Sequence, residues 1–95
     1  MILKIYKMQN SISQNKGFPC PCCGYLTLSE GGHWTFEICP ICFWEDDKVQ
    51  FEDPSYSGGA NKVSLEQARK NFAEFGAKER RFIGEVRKPH ESEIP

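Results

Sequence analysis

Leu26 and Leu28 alternate with Tyr25, Thr27 and Ser29, so an extended segment here puts the leucines on one face and the hydroxyl side chains on the other. A second alternation follows Gly31-Gly32, where Trp34, Phe36 and Ile38 share one face of the segment from His33 to Ile38. Two such runs about a glycine pair predict an antiparallel hairpin, turning either through two residues or through a longer loop. The period then changes. Leu65, Ala68, Phe72 and Phe75 recur at helical spacing behind Ser64-Leu65-Glu66-Gln67. That tetrapeptide is a capping box, in which Ser64 accepts from the Gln67 N–H and Gln67 reaches back. Gly76 ends the helix, and Glu66–Lys70 and Lys70–Glu74 are spaced to pair along it, at about 0.3 kcal/mol each. A second helix is expected from Ala77 to about Arg87, burying Phe82, Ile83 and Val86 and stopping at Pro89. Between hairpin and helices, Asp53-Pro54-Ser55-Tyr56-Ser57-Gly58-Gly59-Ala60-Asn61 reads as a loop, with Gly58-Gly59 allowing close backbone approach. The expected fold class is α+β: a small hairpin, a long loop and two C-terminal α-helices.

The chain has 95 residues, the length of one domain, and a core of that size benefits from an additional staple. Residues 18–89 are read as that domain, 1–17 as an N-terminal extension and 90–95 as a tail. Met8 offers a later start, which leaves residues 1–7 open. No apolar stretch approaches the ~20 residues of a membrane span. Lys4 and Lys7 interrupt the only apolar opening, so a cytoplasmic location is expected. The net charge is −1, unevenly spread. Residues 30–53 carry seven acids against Lys48, whereas 54–88 carry eight bases against four acids. That layout lacks the broad basic field of a general nucleic-acid binder.

The cysteines change the picture most. Cys20 and Cys23, then Cys39 and Cys42, are each Cys-x2-Cys, with fifteen residues between the pairs. Two intervening residues let both sulfurs of one turn reach a single ion at about 2.3 Å, and this spacing lies in the range of four-thiolate zinc sites. Pro21 and Pro40 restrict each turn. Gly24 supplies a positive φ for leaving the first, whereas Phe43 in its place predicts a different exit from the second. The site is thus expected to hold Zn2+ on Cys20, Cys23, Cys39 and Cys42 in a zinc-ribbon arrangement, with iron as the rival ion. Trp44 is expected beside the second turn.

Cys22 is left over. It reads either as a small residue tolerated in a crowded turn or as a reactive thiol. His33 and His90 are not needed as ligands once four sulfurs fill the tetrahedron. No Ser-His-Asp order, His-Glu-x-x-His motif or phosphate loop is present, and a filled tetrahedron leaves no open position for catalysis. Catalysis is therefore not expected, a thiol enzyme using Cys22 being the enzymatic alternative. Glu45, Asp46 and Asp47 read as a solvated acidic face or a surface for a basic partner. Arg80, Gly84 and Arg87 fall on one side of the second helix, with Gly84 either a close packing contact or part of a basic floor. Tyr56, Arg80, Arg81, Arg87 and Lys88 form the candidate interaction surface.

The runs Cys20-Pro21-Cys22-Cys23-Gly24-Tyr25-Leu26-Thr27-Leu28-Ser29-Glu30 and Ile38-Cys39-Pro40-Ile41-Cys42-Phe43-Trp44-Glu45-Asp46-Asp47, with Gly58-Gly59-Ala60-Asn61, Val63-Ser64-Leu65 and Ala68-Arg69, resemble the cysteine-rich CPCC family of small bacterial proteins. The resemblance covers about Phe18 to Pro89 and implies no catalytic residues. Function is expected to be protein interaction or regulation through a zinc-stapled module. The alternative is a nucleic-acid-binding ribbon using Arg69, Lys70, Arg80, Arg81, Arg87 and Lys88. A tetrathiolate centre adds −2 to the chain's own charge, which disfavours nucleic acid.

Overall fold

The structure, a computed structural model, describes residues 17–95. The N-terminal extension, apart from Gly17, lies outside the described residues. The chain is α+β, with strands β1 (Phe18–Pro19) and β2 (Leu26–Leu28), helices α1 (Lys48–Glu52) and α2 (Leu65–Phe75), and 3-10 turns at Arg80–Glu85 and Glu91–Glu93.

The hairpin is real, but its partners are not the two runs flanking Gly31-Gly32. β2 pairs antiparallel with β1, Phe18 opposite Leu28 and Pro19 opposite Leu26, so the first cysteine turn is itself the hairpin's bend. His33 at φ 67° and Phe36 at φ 57° break the extended run that alternation suggested. Only Ile38 joins a bridge, opposite Glu45 across the second cysteine turn. Each Cys-x2-Cys segment reverses the chain so tightly that its own flanks meet first.

α2 forms as its apolar stripe and caps dictate. Ser64 Oγ accepts from the Gln67 N–H at 3.1 Å, and Gly76, at φ 87°, sends its N–H back to the Phe72 carbonyl at 2.9 Å. The details of charge differ. Gln67 donates to Asn71 Oδ1 rather than completing a capping box. Glu74 turns to Arg80 at 3.6 Å instead of pairing with Lys70. The second helix is a 3-10 turn, and none of its residues is buried. An unfavourable glycine sits inside it, and its main side-chain anchor is Phe82, stacked on Phe43. Gly84 is open on the side where a Cβ would project, so close packing does not account for it.

The C-terminal half is clasped to both cysteine turns. Arg69 Nε donates to the Pro21 carbonyl at 2.9 Å, the Lys78 N–H to the Cys42 carbonyl at 2.7 Å, and the Arg87 N–H to the Pro40 carbonyl at 3.1 Å. Residues 90–95, read as a tail, are tied down through Glu93. Its carboxylate takes Arg87 Nη1 and Nη2, each at 2.9 Å, and the His90 N–H at 2.7 Å. The Arg87 guanidinium, with help from that backbone donor, pulls Glu93 down to about 2 from 4.5. Because its folded value is depressed, the contact's stabilisation is complete above about pH 4.5 and fades as pH falls towards 2. By carboxyl NMR, Glu93 should therefore show no titration between pH 6 and 4.5. In Arg87→Gln it should begin to titrate inside that window.

Candidate metal centre

The two cysteine turns are built alike. In the first, the Gly24 N–H reaches the Cys20 carbonyl at 2.8 Å and the Cys20 N–H reaches the Tyr25 carbonyl at 2.9 Å. In the second, Phe43 N–H to Cys39 carbonyl and Cys39 N–H to Trp44 carbonyl repeat those distances. Gly24 has φ 83° and Phe43 φ 72°, so the exit expected to differ is the same. For phenylalanine that backbone is strained by roughly 1–3 kcal/mol. Its ring is held by stacking on Phe82, centroids 4.5 Å apart, which offsets part of the strain.

These matched turns converge four sulfurs. Cys20, Cys23, Cys39 and Cys42 place their Sγ atoms within 4.8 Å of one another. Cys20 and Cys42 are 3.6 Å apart, Cys23 and Cys39 3.7 Å. A regular tetrahedron with metal–sulfur bonds of 2.3 Å has edges of about 3.8 Å, so the cage is the right size. Cys20, Cys39 and Cys42 are buried, while Cys23 is half-buried.

Electrostatics makes the same point. Without a cation the close sulfurs push one another's ionisation in opposite directions. Cys39 is pulled well below the usual thiol range by hydrogen bonds from Cys20, then Cys23 and Cys42, with Thr27 Oγ1 adding one at 3.1 Å. The neighbouring thiols are pushed the other way, Cys20 chiefly by Cys23 and Cys42 chiefly by Cys20. A divalent ion would let all four ionise. The Ile41 and Trp44 N–H groups point at Cys39 and Cys42 at 3.4 Å and would disperse thiolate charge. The residues fit a tetrahedral, sulfur-preferring metal.

Cys22 is not in the cage. It is buried at 8% exposure in the core cluster beside it, rather than facing outward. Trp44, wholly buried, packs in that same cluster as expected. The acidic run is not a solvated face. Asp46 is fully buried with Oδ1 2.8 Å from His33 Nδ1, and the His33 ring stacks on Phe51 at 3.8 Å. Asp47 caps α1, accepting from the N–H groups of Val49 and Gln50. Both acids are thus absorbed by local partners, which charge counting could not reveal.

Sequence reasoning also missed a polar core. Asn61, at the end of the glycine loop, accepts from the Glu45 N–H at 2.9 Å and from Lys78 Nζ at 2.7 Å. It donates to the Glu45 carbonyl at 2.8 Å and to Gln50 Oε1 at 2.9 Å. Gln50 Nε2 in turn donates to the carbonyls of Tyr56, Asn61 and Val63. The close approach anticipated at Gly58-Gly59 falls on Gly59, where a Cβ would stand 2.7 Å from Asp47 Oδ2. The adjacent Gly59-Ala60-Asn61 was the one legible signal. Lys78 is buried, and desolvation lowers its pKa.

The candidate interaction residues are scattered in their commitments. Arg80 lies over Phe75 and near Glu74, Arg81 bonds Glu79 at 3.1 Å, and Arg87 is held by Glu93. Tyr56 is exposed on the loop, and Lys88 pairs with no carboxylate among the described residues. Among the described residues no helix is long and apolar enough to cross a membrane. A family model described as cysteine-rich CPCC matches residues 18–93, from β1 through the Glu93 clasp. No curated protein matches the chain.

Proposed function

The chain belongs to the cysteine-rich CPCC family, and from its closed set of four sulfurs we propose a zinc-stapled protein-interaction module. The cage of four matched thiolates carries this reading. It supplies every ligand a tetrahedral zinc needs and keeps no position for substrate, which suits a structural ion. Iron is the alternative occupant, distinguishable by colour.

The interaction surface we infer is the loop of residues 33–38. Trp34 is 66% exposed, and Phe36 and Ile38 are exposed beyond it. The loop is nevertheless held firmly. His33 is fixed by Asp46 and Phe51, Glu37 takes the Ser29 N–H at 2.9 Å and the Ser29 hydroxyl, and the Glu37 carbonyl accepts from Asp46 N–H at 2.8 Å. A rigid segment that keeps strained backbone and outward aromatic rings suits recognition of another protein's surface. Arg80, Arg81 and Arg87 offer less, because each already engages a carboxylate.

Co-purification from the native cell with metal analysis of the same sample tests the reading. One zinc per chain and a stable protein partner are expected. Trp34→Ala with Phe36→Ala should release the partner and keep the zinc. Red, iron-loaded protein would defeat the zinc assignment, and a partner unaffected by the double variant would defeat the surface.

A further inference from the structure

On the side of α2 facing the cysteine turns lies a groove of about 440 Å3. That volume falls in the range of small-molecule sites, about 300–1,000 Å3. Tyr25, Ile41, Phe72, Phe75 and Ile83 supply its apolar wall, with Tyr25 and Phe72 meeting edge to face at 6.5 Å. Two of these residues belong to the cysteine turns. Ile41 lies between Cys39 and Cys42, and Tyr25 receives the Cys20 N–H on its carbonyl. One end of the lining is cationic, formed by Arg87 and Lys88.

We propose that this groove binds a small carboxylic acid with an aryl or branched alkyl tail, the tail among the aromatic rings and the carboxylate on Lys88. Charge complementarity selects this occupant. Among the described residues no carboxylate lines the groove, whereas two cations do. The rim already demonstrates carboxylate chemistry internally, since Glu93 engages Arg87 through both oxygens. That engagement neutralises Arg87 and leaves the Lys88 ammonium to meet a ligand. A neutral ligand of equal size would gain the apolar burial but not the charge-assisted contact, and a dianion would find one free cation of the groove among the described residues. The site uses none of the 33–38 loop, so it stands or falls independently of partner binding there.

The test is titration of the metal-loaded full chain with 4-phenylbutyrate and with 4-phenylbutan-1-ol, followed by proton NMR of the Tyr25, Phe72 and Phe75 rings. The acid is expected to saturate, shifting those rings, and to bind at least tenfold tighter than the alcohol. Lys88→Gln should remove that preference. Ile83→Trp should fill the groove and abolish binding of both. Lys88 and Ile83 are exposed, so neither substitution threatens the fold, and the melting temperature of each variant checks this. Absence of saturable shifts to 10 mM (about −2.7 kcal/mol) would overturn the proposal. So would equal binding of acid and alcohol, or an Ile83→Trp protein that binds as before.

Discussion

A chelator that removes the metal should abolish the cooperative thermal transition of this protein. The described fold has only short strands and one helix longer than two turns, and its buried cluster is built largely around Cys20, Cys22, Cys39, Cys42 and their immediate neighbours. A structural four-thiolate ion contributes on the order of 10 kcal/mol, against a total stability of about 5–15 kcal/mol for ordinary domains. The loss therefore matches or exceeds everything the rest of the chain supplies. Cys39→Ser should behave as the chelated protein does, since Cys39 is wholly buried and also gathers the Thr27 hydroxyl and the Ile41 N–H. Cys22→Ser should keep one metal ion per chain and a cooperative melt, because its sulfur lies outside the cage. Circular dichroism melts with and without chelator, paired with metal analysis, read all three proteins. An unchanged melt after complete metal removal would refute the centre's structural role.

Asn61→Ala should destabilise the metal-loaded protein by about 3 kcal/mol, the upper end for losing a buried hydrogen bond to a charged group. The side chain uses both its acceptor and its donor positions: Lys78 Nζ and the Glu45 N–H on Oδ1, the Glu45 carbonyl and Gln50 Oε1 on Nδ2. Alanine strands the Lys78 ammonium and the Glu45 N–H and carbonyl, whereas Gln50 Oε1 keeps the backbone N–H of residue 61 at 3.1 Å, and the ammonium is the most expensive of the three. Pairing Asn61→Leu with Lys78→Met should recover part of the loss, because the charge leaves with its partner. Denaturant unfolding of the singles and the double forms the cycle that reads this coupling. A loss below about 1 kcal/mol in Asn61→Ala, or strictly additive effects in the cycle, would show that the network is not a unit.

Both experiments probe features with very different visibility in the amino-acid sequence. The cluster of four cysteines was legible because metal chemistry imposes a local spacing: two sulfurs of one turn must reach one ion, so Cys20/Cys23 and Cys39/Cys42 declare themselves as a set that could hold a metal. α2 was legible for a similar reason, as the Ser64 cap, the apolar stripe and Gly76 act within a few residues of one another. The misreadings share a cause as well. Alternation at Trp34, Phe36 and Ile38 suggested a strand, yet a strand needs a partner, and Phe18–Pro19 had already taken β2. Asp46 and Asp47 looked solvated because composition records charge without recording that His33 lies beside one and the start of α1 above the other.

Local chemistry, then, was enough to announce a pair of cysteine turns that could hold a metal and a capped helix, since covalent spacing and helical periodicity bring the interacting atoms together regardless of the rest of the chain. Tertiary packing settled other features: that the Phe43 ring stacks on Phe82, that Asn61 and Lys78 meet across 17 residues, and that the Arg87 N–H reaches the Pro40 carbonyl. Those contacts depend on which surfaces survive competition for burial and hydrogen bonds, a contest decided by the whole molecule at once.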